Sequence, residues 1–396
     1  MNIPDKETGV VAFGIKTGII TGDDNLLGVI KRTIAKHPDM IRDGDILCVT
    51  ESVVAITQHN IVTLDQVARE IRSRLNLGEQ ATLGVIHPIL SRNRFSMLLK
   101  AMARAVRGGK VIIQLRFPAD EQGNPVIARE TLKKIHKGCD DIITTEEIGN
   151  DRLLHPETGM DYIDYYEKIV TEAGSKTEIY LSNSVEHLTD RNPDAIIVSN
   201  VHERNELLEA TREKGYRNVI TLQDIYSDPA KEAYSAYGLL GSNILDPVRE
   251  QLKLMPKNPD AVCEEIRKMV SSEFKKDIEV LIYGDGAYKD PESGIFELAD
   301  PVSCFGCTRG IKNRNRIGVK TKYLMQTMYN EGRSKEEIAR FIELEREKFL
   351  EKQEKQEFNA QGTTPRKIEN LVSSLADLVS GSGDAYTPLV AVRGFI

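Results

Sequence analysis

The hydrophobic and polar positions at the start of the chain alternate in blocks. Residues 9–60 contain an apolar stretch GVVAFGIKTGII, a turn at Gly22–Asp24, a run LLGVIKRTIAKH, a turn at Asp43–Asp45 and an apolar run ILCVTESVVAI. Apolar runs between turn residues predict strands, and apolar residues at helical spacing predict an amphipathic helix. We therefore predict the order strand, helix, strand.

The same order continues to about residue 115. Residues 63–77 predict a helix, and ATLGVIHPIL predicts a strand that runs into a loop at SRNR. The run FSMLLKAMARAV then predicts a helix, and KVIIQLRF predicts the next strand.

The middle of the chain has a different pattern of strand-like and helix-like segments. Strand-like TEIYLS, AIIVSN and NVITLQDI alternate with helix-like HERNELLEATREKG. This alternation is typical of an α/β layer. We predict an inserted α/β segment at 116–277, between the N-terminal part (1–115) and the C-terminal part (278–396) of a main domain.

The last part begins with a strand-like IEVLIY that opens into GDGAYKDPESG. A capping box at Ser334 predicts the start of a charged helix that runs to about Gln356, and the charge indicates a face in contact with solvent. A further helix over IENLVSSLADLV leads to a glycine turn at 381–383, and TPLVAVRGF predicts a buried strand.

Composition limits the possible functions. The 396 residues are 40% hydrophobic and 29% charged, which is typical of a globular protein, and the length predicts two or three folding units. A net charge of −7 gives no basis for nucleic-acid binding. The acidic start and the lack of 18 consecutive apolar residues predict neither a signal peptide nor a membrane partner. Five scattered cysteines fit a reducing compartment, so we predict a cytoplasmic protein.

The sharpest local signal is the aspartate of Gly284-Asp285-Gly286, which follows a strand. Lys289, Asp290 and Glu292 lie in the same loop. A carboxylate flanked by glycines can hold Mg²⁺ or Mn²⁺ against phosphate oxygens. The alternative is an ordinary Asp-Gly turn between two strands.

Two glycine-rich segments could bind phosphate. In GIKTGIITGDD the glycines allow close approach of the backbone and Lys16 supplies a positive charge, although no Walker A motif is present. Gly381-Ser382-Gly383-Asp384 could form an anion-binding nest. The alternatives are a turn-rich strand edge for the first segment and a helix C-cap for the second.

Other chemistry has weaker signals. Cys304-Phe305-Gly306-Cys307 is a CxxC motif without a second ligand pair at zinc spacing, which leaves a metal or redox role open. The histidines are scattered and there is no G-x-S-x-G motif, so histidine-based zinc chemistry and the esterase nucleophile lack support.

Taken in order, these segments resemble the coenzyme F-420 gamma-glutamyl ligase family. The resemblance rests on GIKTGIITGDDN, GDILCVTESVVA, VLIYGDGAYKDP and LADLVSGSGDAYTPLVAVRGF, and covers about residues 9–100 and 278–396. It implies a mixed α+β fold, an intertwined homodimer, and GTP (or ATP) with Mg²⁺ or Mn²⁺. It also implies amide formation between an amino acid, L-glutamate first, and a small-molecule carboxylate through an acyl phosphate.

Position by position, the resemblance assigns the metal to Asp285 and assigns no catalytic residue. The residues it assigns to the nucleotide are Lys16, Thr17, Gly18, Ile19, Ser52, Asn93 and Ser382. The chain departs from the family at Leu90, where a second metal-binding aspartate is expected, and at Ile56, where a nucleotide-contacting lysine is expected. Asp290, Glu292 or Asp384 could supply the missing carboxylate.

Two functions remain open from the sequence. One is an active ligase whose acceptor differs from the deazaflavin precursor, because the middle segment could reshape the acceptor pocket. The other is a non-catalytic relative that binds a nucleotide or another ligand, as the changes at Leu90 and Ile56 suggest.

Overall fold

The computed structural model of the protein describes residues 9–155, 159–285, 300–316, 319–354, 366–380 and 386–396. These residues form sixteen strands: β1 (Val11–Ile15), β2 (Ile46–Thr50), β3 (Ile61–Thr63), β4 (Thr82–Ile86), β5 (Lys110–Leu115), β6 (Ile143–Thr144), β7 (Lys176–Leu181), β8 (Ala195–Val198), β9 (Val219–Thr221), β10 (Asn243–Asp246), β11 (Gln251–Lys253), β12 (Glu279–Tyr283), β13 (Cys304–Cys307), β14 (Asn315–Arg316), β15 (Arg366–Lys367) and β16 (Leu389–Arg393).

The described residues also form thirteen α-helices: α1 (Leu26–Lys36), α2 (Glu51–Thr57), α3 (Leu64–Arg74), α4 (Phe95–Ala105), α5 (Arg129–Lys134), α6 (Thr145–Ile148), α7 (Tyr162–Glu172), α8 (Glu186–Thr189), α9 (Arg204–Glu213), α10 (Pro259–Phe274), α11 (Thr321–Asn330), α12 (Lys335–Glu354) and α13 (Ile368–Ser380). The predicted mixed α+β class is confirmed.

A five-stranded mixed sheet joins the two ends of the chain, in the order β1-β16-β2-β12-β13. Strands β2 and β12 are parallel, and β16 runs antiparallel to both β1 and β2. Residues Leu389–Val392 of β16 are fully buried, which confirms the predicted buried strand. A continuous apolar run of this kind suits a central strand that is covered on both faces. The apolar residues of α13 cover one face, while α1 and α10 cover the other.

A six-stranded sheet has the order β6-β7-β5-β4-β8-β9. Its strands are parallel except for the short β6. Strand β5 pairs with β7 along its whole length, so the sheet joins segments on either side of residue 115. The domain boundaries predicted at 115/116 and 277/278 stay a prediction.

Each of the two larger sheets, with the helices packed on it, is called below the five-stranded or the six-stranded unit. A three-stranded sheet of β10, β11 and β3 is formed by the segments of the chain that connect these two units. Its strand β11 pairs with β3 and with β10, both antiparallel. Lys253, the last residue of β11, is buried, as is its neighbour Leu252.

One predicted strand is partly wrong. The run ILCVTESVVAI forms β2 only as far as Thr50, and Glu51 begins helix α2. Its valines and isoleucines favour a strand on composition alone. In the fold, Val54 and Ala55 of α2 are buried, and this packing overrides the local preference.

Several predicted helices are confirmed. Helix α3 begins after Thr63, whose side chain and that of Gln66 form a capping box. Helix α12 follows Ser334, whose hydroxyl accepts a hydrogen bond from the Glu337 backbone N–H at 3.2 Å. Of the helices in the described ranges, none is long and apolar enough to cross a membrane.

Candidate functional site

An open cavity of about 540 Å³ lies between the five-stranded and three-stranded sheets, beside the start of α4. The five-stranded unit supplies the segment after β1, the β2–α2 junction, the end of β12, residues near the end of α13 and the segment before β16. The other side supplies Arg94, which directly precedes α4, together with residues of β10 and Lys253 of β11. The cavity is therefore assembled from segments far apart in sequence.

Arg94 makes three side-chain hydrogen bonds at this cavity. Its Nη1 donates to Asp300 Oδ1 at 2.7 Å and to the Gly241 carbonyl at 3.0 Å, and its Nη2 donates to Asp285 Oδ2 at 2.7 Å. The Asp285 backbone N–H donates to Asp300 Oδ2 at 2.9 Å. One guanidinium thus joins two carboxylates of the five-stranded unit to helix α4 of the six-stranded unit.

Gly284 has a steric reason to be glycine. A Cβ at this position would lie 2.4 Å from Asp300 Oδ2 and 2.5 Å from Phe305 Cε2, both far inside van der Waals contact. The absence of a side chain at Gly284 lets Asp300 approach the backbone of Asp285. The glycine predicted to admit a ligand therefore admits a carboxylate of the protein itself.

The charges of this cluster affect one another. Burial and the neighbouring Asp300 carboxylate raise the pKa of Asp285 to about 7, against the opposing effect of the Arg94 guanidinium. Burial alone would lower the pKa of Arg94, but the carboxylates of Asp300 and Asp285 raise it above its usual value. Arg94 therefore stays charged at any physiological pH.

A second ion pair lines the same cavity. The Nζ of Lys253 contacts both carboxylate oxygens of Glu51, the first residue of α2. Both side chains are largely buried, at 6% and 12% exposure. Burial raises the pKa of Glu51, while the Lys253 ammonium lowers it. Because both ions are held by protein partners, this pair contributes a fixed local field on the cavity wall.

Four of the residues predicted from sequence meet in this cavity. Gly18, Ile19, Ser52 and Asp285 all line it, although they belong to three distant parts of the chain. Gly18 has φ +84°, a left-handed conformation that favours glycine, and Ile19 is 76% exposed. Their assigned nucleotide and metal contacts stay predictions.

The other predicted residues are placed differently. Thr17 adjoins the cavity and its backbone N–H donates to the carbonyl of Tyr386 at 2.9 Å. The exposed residues Lys16 and Asn93 are not among the residues that line the cavity. The Asn93 carbonyl accepts a hydrogen bond from Ile244 of β10 at 3.0 Å. Ser382 lies outside the described residues.

The two departures from the family pattern occupy unlike surroundings. Leu90 is 5% exposed in the core beside the six-stranded sheet, and its backbone N–H donates to Asp120 Oδ2 at 2.8 Å. Ile56 is partly exposed in α2. The substitute ligands considered from sequence, Asp290, Glu292 and Asp384, lie outside the described residues.

The described residues do not form a metal site around Asp285. No group of three or more His, Cys, Asp or Glu side chains is placed to hold an ion in the described part of the chain. Asp285 itself is bound by Arg94. A divalent ion takes about six oxygen ligands, several of which phosphate and water can supply, so the metal contact of Asp285 stays a prediction.

The CxxC motif lies in β13, on the far side of β12 from β2. The register between β12 and β13 shifts at this point, with Ile282 opposite Gly306 and Tyr283 opposite Cys304. The Cys307 backbone N–H donates to Asp260 Oδ1 at 3.0 Å, and both thiols are free. The described residues provide no further ligand cluster here, so the metal interpretation gains no support.

Five charged residues at the cavity were not predicted from the sequence: Glu51, Arg94, Lys253 and Asp377 line it, and Asp300 contacts its wall. The contacts between them span up to 206 residues of sequence, as between Arg94 and Asp300. No local spacing rule reports such contacts. The only available signal was the position of Arg94, which directly follows the predicted site residue Asn93.

Comparison with known families gives one match. The model of the family described as F420-0:Gamma-glutamyl ligase matches residues 14–394. The matched span includes the middle segment, which the motifs quoted from the sequence do not reach. None of the curated proteins matches the chain.

Proposed function

The chain belongs to the F420-0:gamma-glutamyl ligase family, and from this membership we propose that it joins an amino acid to a small-molecule carboxylate at the expense of a nucleoside triphosphate. L-glutamate is the first candidate for the amino acid, with GTP as the first nucleotide and ATP as the alternative. A homodimer and a cytoplasmic location belong to the same proposal.

The observation that carries this proposal is the meeting of Gly18, Ile19, Ser52 and Asp285 in one cavity. The four residues were assigned to the nucleotide and its metal on sequence alone. Contacts between segments this distant form only in the folded chain. A volume of about 540 Å³ lies in the usual range of small-molecule sites, about 300–1,000 Å³.

The proposed reaction has two steps. An oxygen of the acceptor carboxylate attacks the γ-phosphorus, which gives an acyl phosphate and releases the nucleoside diphosphate. The amino group of the amino acid then attacks the acyl carbon, loses a proton, and releases inorganic phosphate as the amide forms. Both steps depend on positioning and on charge stabilisation more than on a protein nucleophile.

The chain's own residues can meet part of this need. Arg94 and Lys253 are the cations on the described cavity wall, and a guanidinium is well suited to bind planar or tetrahedral oxyanions. Arg94 has five N–H donors, of which three are used by described residues. The remaining two could donate to a phosphoryl or carboxylate oxygen in the cavity.

A divalent ion, Mg²⁺ or Mn²⁺, belongs to the proposal because it neutralises the triphosphate. We propose that the ion arrives with the nucleotide, held mainly by phosphate oxygens and water, with Asp285 as the first candidate for a protein ligand. No step of the reaction is assigned to protein ligands of that ion.

Trapping with hydroxylamine tests the first step directly. Hydroxylamine converts an acyl phosphate into a hydroxamate, which is measured by its coloured ferric complex, and no amino acid needs to be present. We expect hydroxamate when GTP or ATP, Mg²⁺ and a suitable carboxylate are combined. Asp285→Asn should lower its rate about tenfold or more, because the change removes a carboxylate that lines the cavity and binds Arg94.

The matched control is Asp39→Asn, which makes the same chemical change at an exposed position in a 3-10 turn remote from the cavity lining. Its hydroxamate rate should equal that of the wild type. Nucleotide binding without hydroxamate for a broad panel of carboxylates would instead support the non-catalytic relative. Equal rates in Asp285→Asn and Asp39→Asn would contradict the proposed site.

A further inference from the structure

We propose that Arg94 is a built-in counter-ion for Asp285 and Asp300 and that it competes with a divalent cation for Asp285. Arg94 would thereby lower the affinity of the nucleotide-free protein for a divalent cation. This inference does not depend on the proposed ligase reaction.

The hydrogen bonds of Arg94 already use one oxygen of Asp285. Arg94 Nη2 donates to Asp285 Oδ2 at 2.7 Å, and the same guanidinium is held by Asp300 and the Gly241 carbonyl. Two of its three described contacts would therefore hold Arg94 in place even if Asp285 turned away. An ion that binds the Asp285 carboxylate must share it with a fixed positive charge or displace one N–H bond.

The charges of the cluster also oppose a cation at Asp285. Arg94 is 16% exposed and Asp285 is 34% exposed, so solvent screens their interaction only in part. A divalent cation beside Asp285 would lie only a few ångströms from the guanidinium, and like charges at that separation repel strongly. Arg94 thus lowers the affinity of Asp285 for an ion by repulsion as well as by occupation.

Removal of Arg94 would leave an excess of negative charge at the cavity. Asp285, Glu51 and Asp377 line the cavity, Asp300 touches Asp285, and Lys253 is the other cation on the described wall. Carboxylates then outnumber cations in a partly buried site. Such a site attracts a divalent cation, and Asp285 and Asp300 provide oxygen ligands of the kind that Mn²⁺ and Mg²⁺ bind.

The test is a titration of the nucleotide-free protein with Mn²⁺, in which free Mn²⁺ is followed by electron paramagnetic resonance. We expect Arg94→Gln to bind Mn²⁺ at least about tenfold more tightly than the wild type. The double variant Arg94→Gln/Asp285→Asn should lose this gain. The second substitution shows that the new affinity resides at Asp285.

Arg104→Gln is a close control. Arg104 lies in the last turn of the same helix, has the same 16% exposure, and pairs with the two carboxylates Asp65 and Glu250 outside the cavity. Its substitution should leave Mn²⁺ affinity at the wild-type value. A gain in both arginine variants would show that removing any buried arginine suffices, and would contradict the proposal.

Arg94→Lys addresses the chance that Arg94→Gln does not fold. Lysine keeps the positive charge but cannot bind two carboxylates through a planar fork, so we expect an intermediate gain in Mn²⁺ affinity. Unchanged affinity in both Arg94 variants, or a gain that persists with Asp285→Asn, overturns the proposal. Circular dichroism during heating verifies that each variant is folded at the temperature of the titration.

Discussion

Helix α4 has an arginine with two carboxylate partners at each end, and the surroundings of the two clusters differ. At the start of the helix, Arg94 contacts Asp285 and Asp300, of which Asp300 is almost fully buried. In its last turn, Arg104 contacts Glu250 and the well-exposed Asp65. The two arginines have equal exposure, and Asp285 and Glu250 are about equally exposed, so the buried Asp300 and the exposed Asp65 distinguish the two ends.

This difference has a structural origin. The partners of Arg94 come from the five-stranded unit, and the contact closes the wall of a cavity between two sheets. The partners of Arg104 come from the start of α3 and from the loop before β11, at the surface. The ion pairs at the cavity therefore combine a structural role with an influence on ligands, while those at the other end join α4 to α3 and to the loop before β11.

Asp300→Ala should show the largest difference between the two ends. We expect it to lower the free energy of unfolding by about 3–4 kcal/mol, because a buried ion pair loses one partner and the Asp285 N–H loses its acceptor. Asp65→Ala, at the other end, should cost no more than about 0.5 kcal/mol, since Asp65 is exposed. Urea unfolding followed by circular dichroism measures both, and equal losses would refute the comparison.

Gly284→Ala should have the next largest effect, also at the cavity end. The added Cβ would collide with Asp300 Oδ2 and Phe305, and the required shift should cost about 2 kcal/mol. Gly78→Ala is the control, because a Cβ at Gly78 meets no atom within 4 Å. Thermal unfolding of the two variants should give a lower midpoint for Gly284→Ala alone. A wild-type midpoint for Gly284→Ala would show that the side chains of Asp300 and Phe305 can move away from the added methyl group without loss of stability.

The contrast also shows which features of the fold and the site local sequence patterns can predict. Strand β16 and helix α12 were predictable because an apolar run and a capping box are local signals. The end of β2 was not, since Val53 and Val54 favour a strand and only packing makes them helical. Gly18, Ser52 and Asp285 were placed by family resemblance, whereas Arg94 and Lys253 reach the cavity through contacts between distant segments, which no local pattern encodes.

Glu250→Gln should have a smaller effect than Asp300→Ala or Gly284→Ala, and its pH dependence tests the contacts of Arg104. Glu250 accepts hydrogen bonds from Arg104 at 2.7 and 2.8 Å, and Lys100 lies 2.8 Å away. The hydrogen bonds from Arg104 lower the pKa of Glu250 from 4.5 to about 2, and Lys100 adds to this shift. Because the group is 28% exposed, solvent screening reduces its contribution to about 1 kcal/mol at pH 7.

The direction of the pH effect follows from that lowered pKa. The folded protein binds a proton at Glu250 less readily than the unfolded chain, so the stabilisation is complete above pH 4.5 and is lost as the pH falls towards about 2. The difference in free energy of unfolding between wild type and Glu250→Gln should therefore shrink from pH 7 to pH 3. A difference that stays constant over this range would mean that Glu250 acts through packing and not through its charge. The contacts of Arg104 would then resemble those of Arg94 more closely than the exposures of Asp65 and Asp300 indicate.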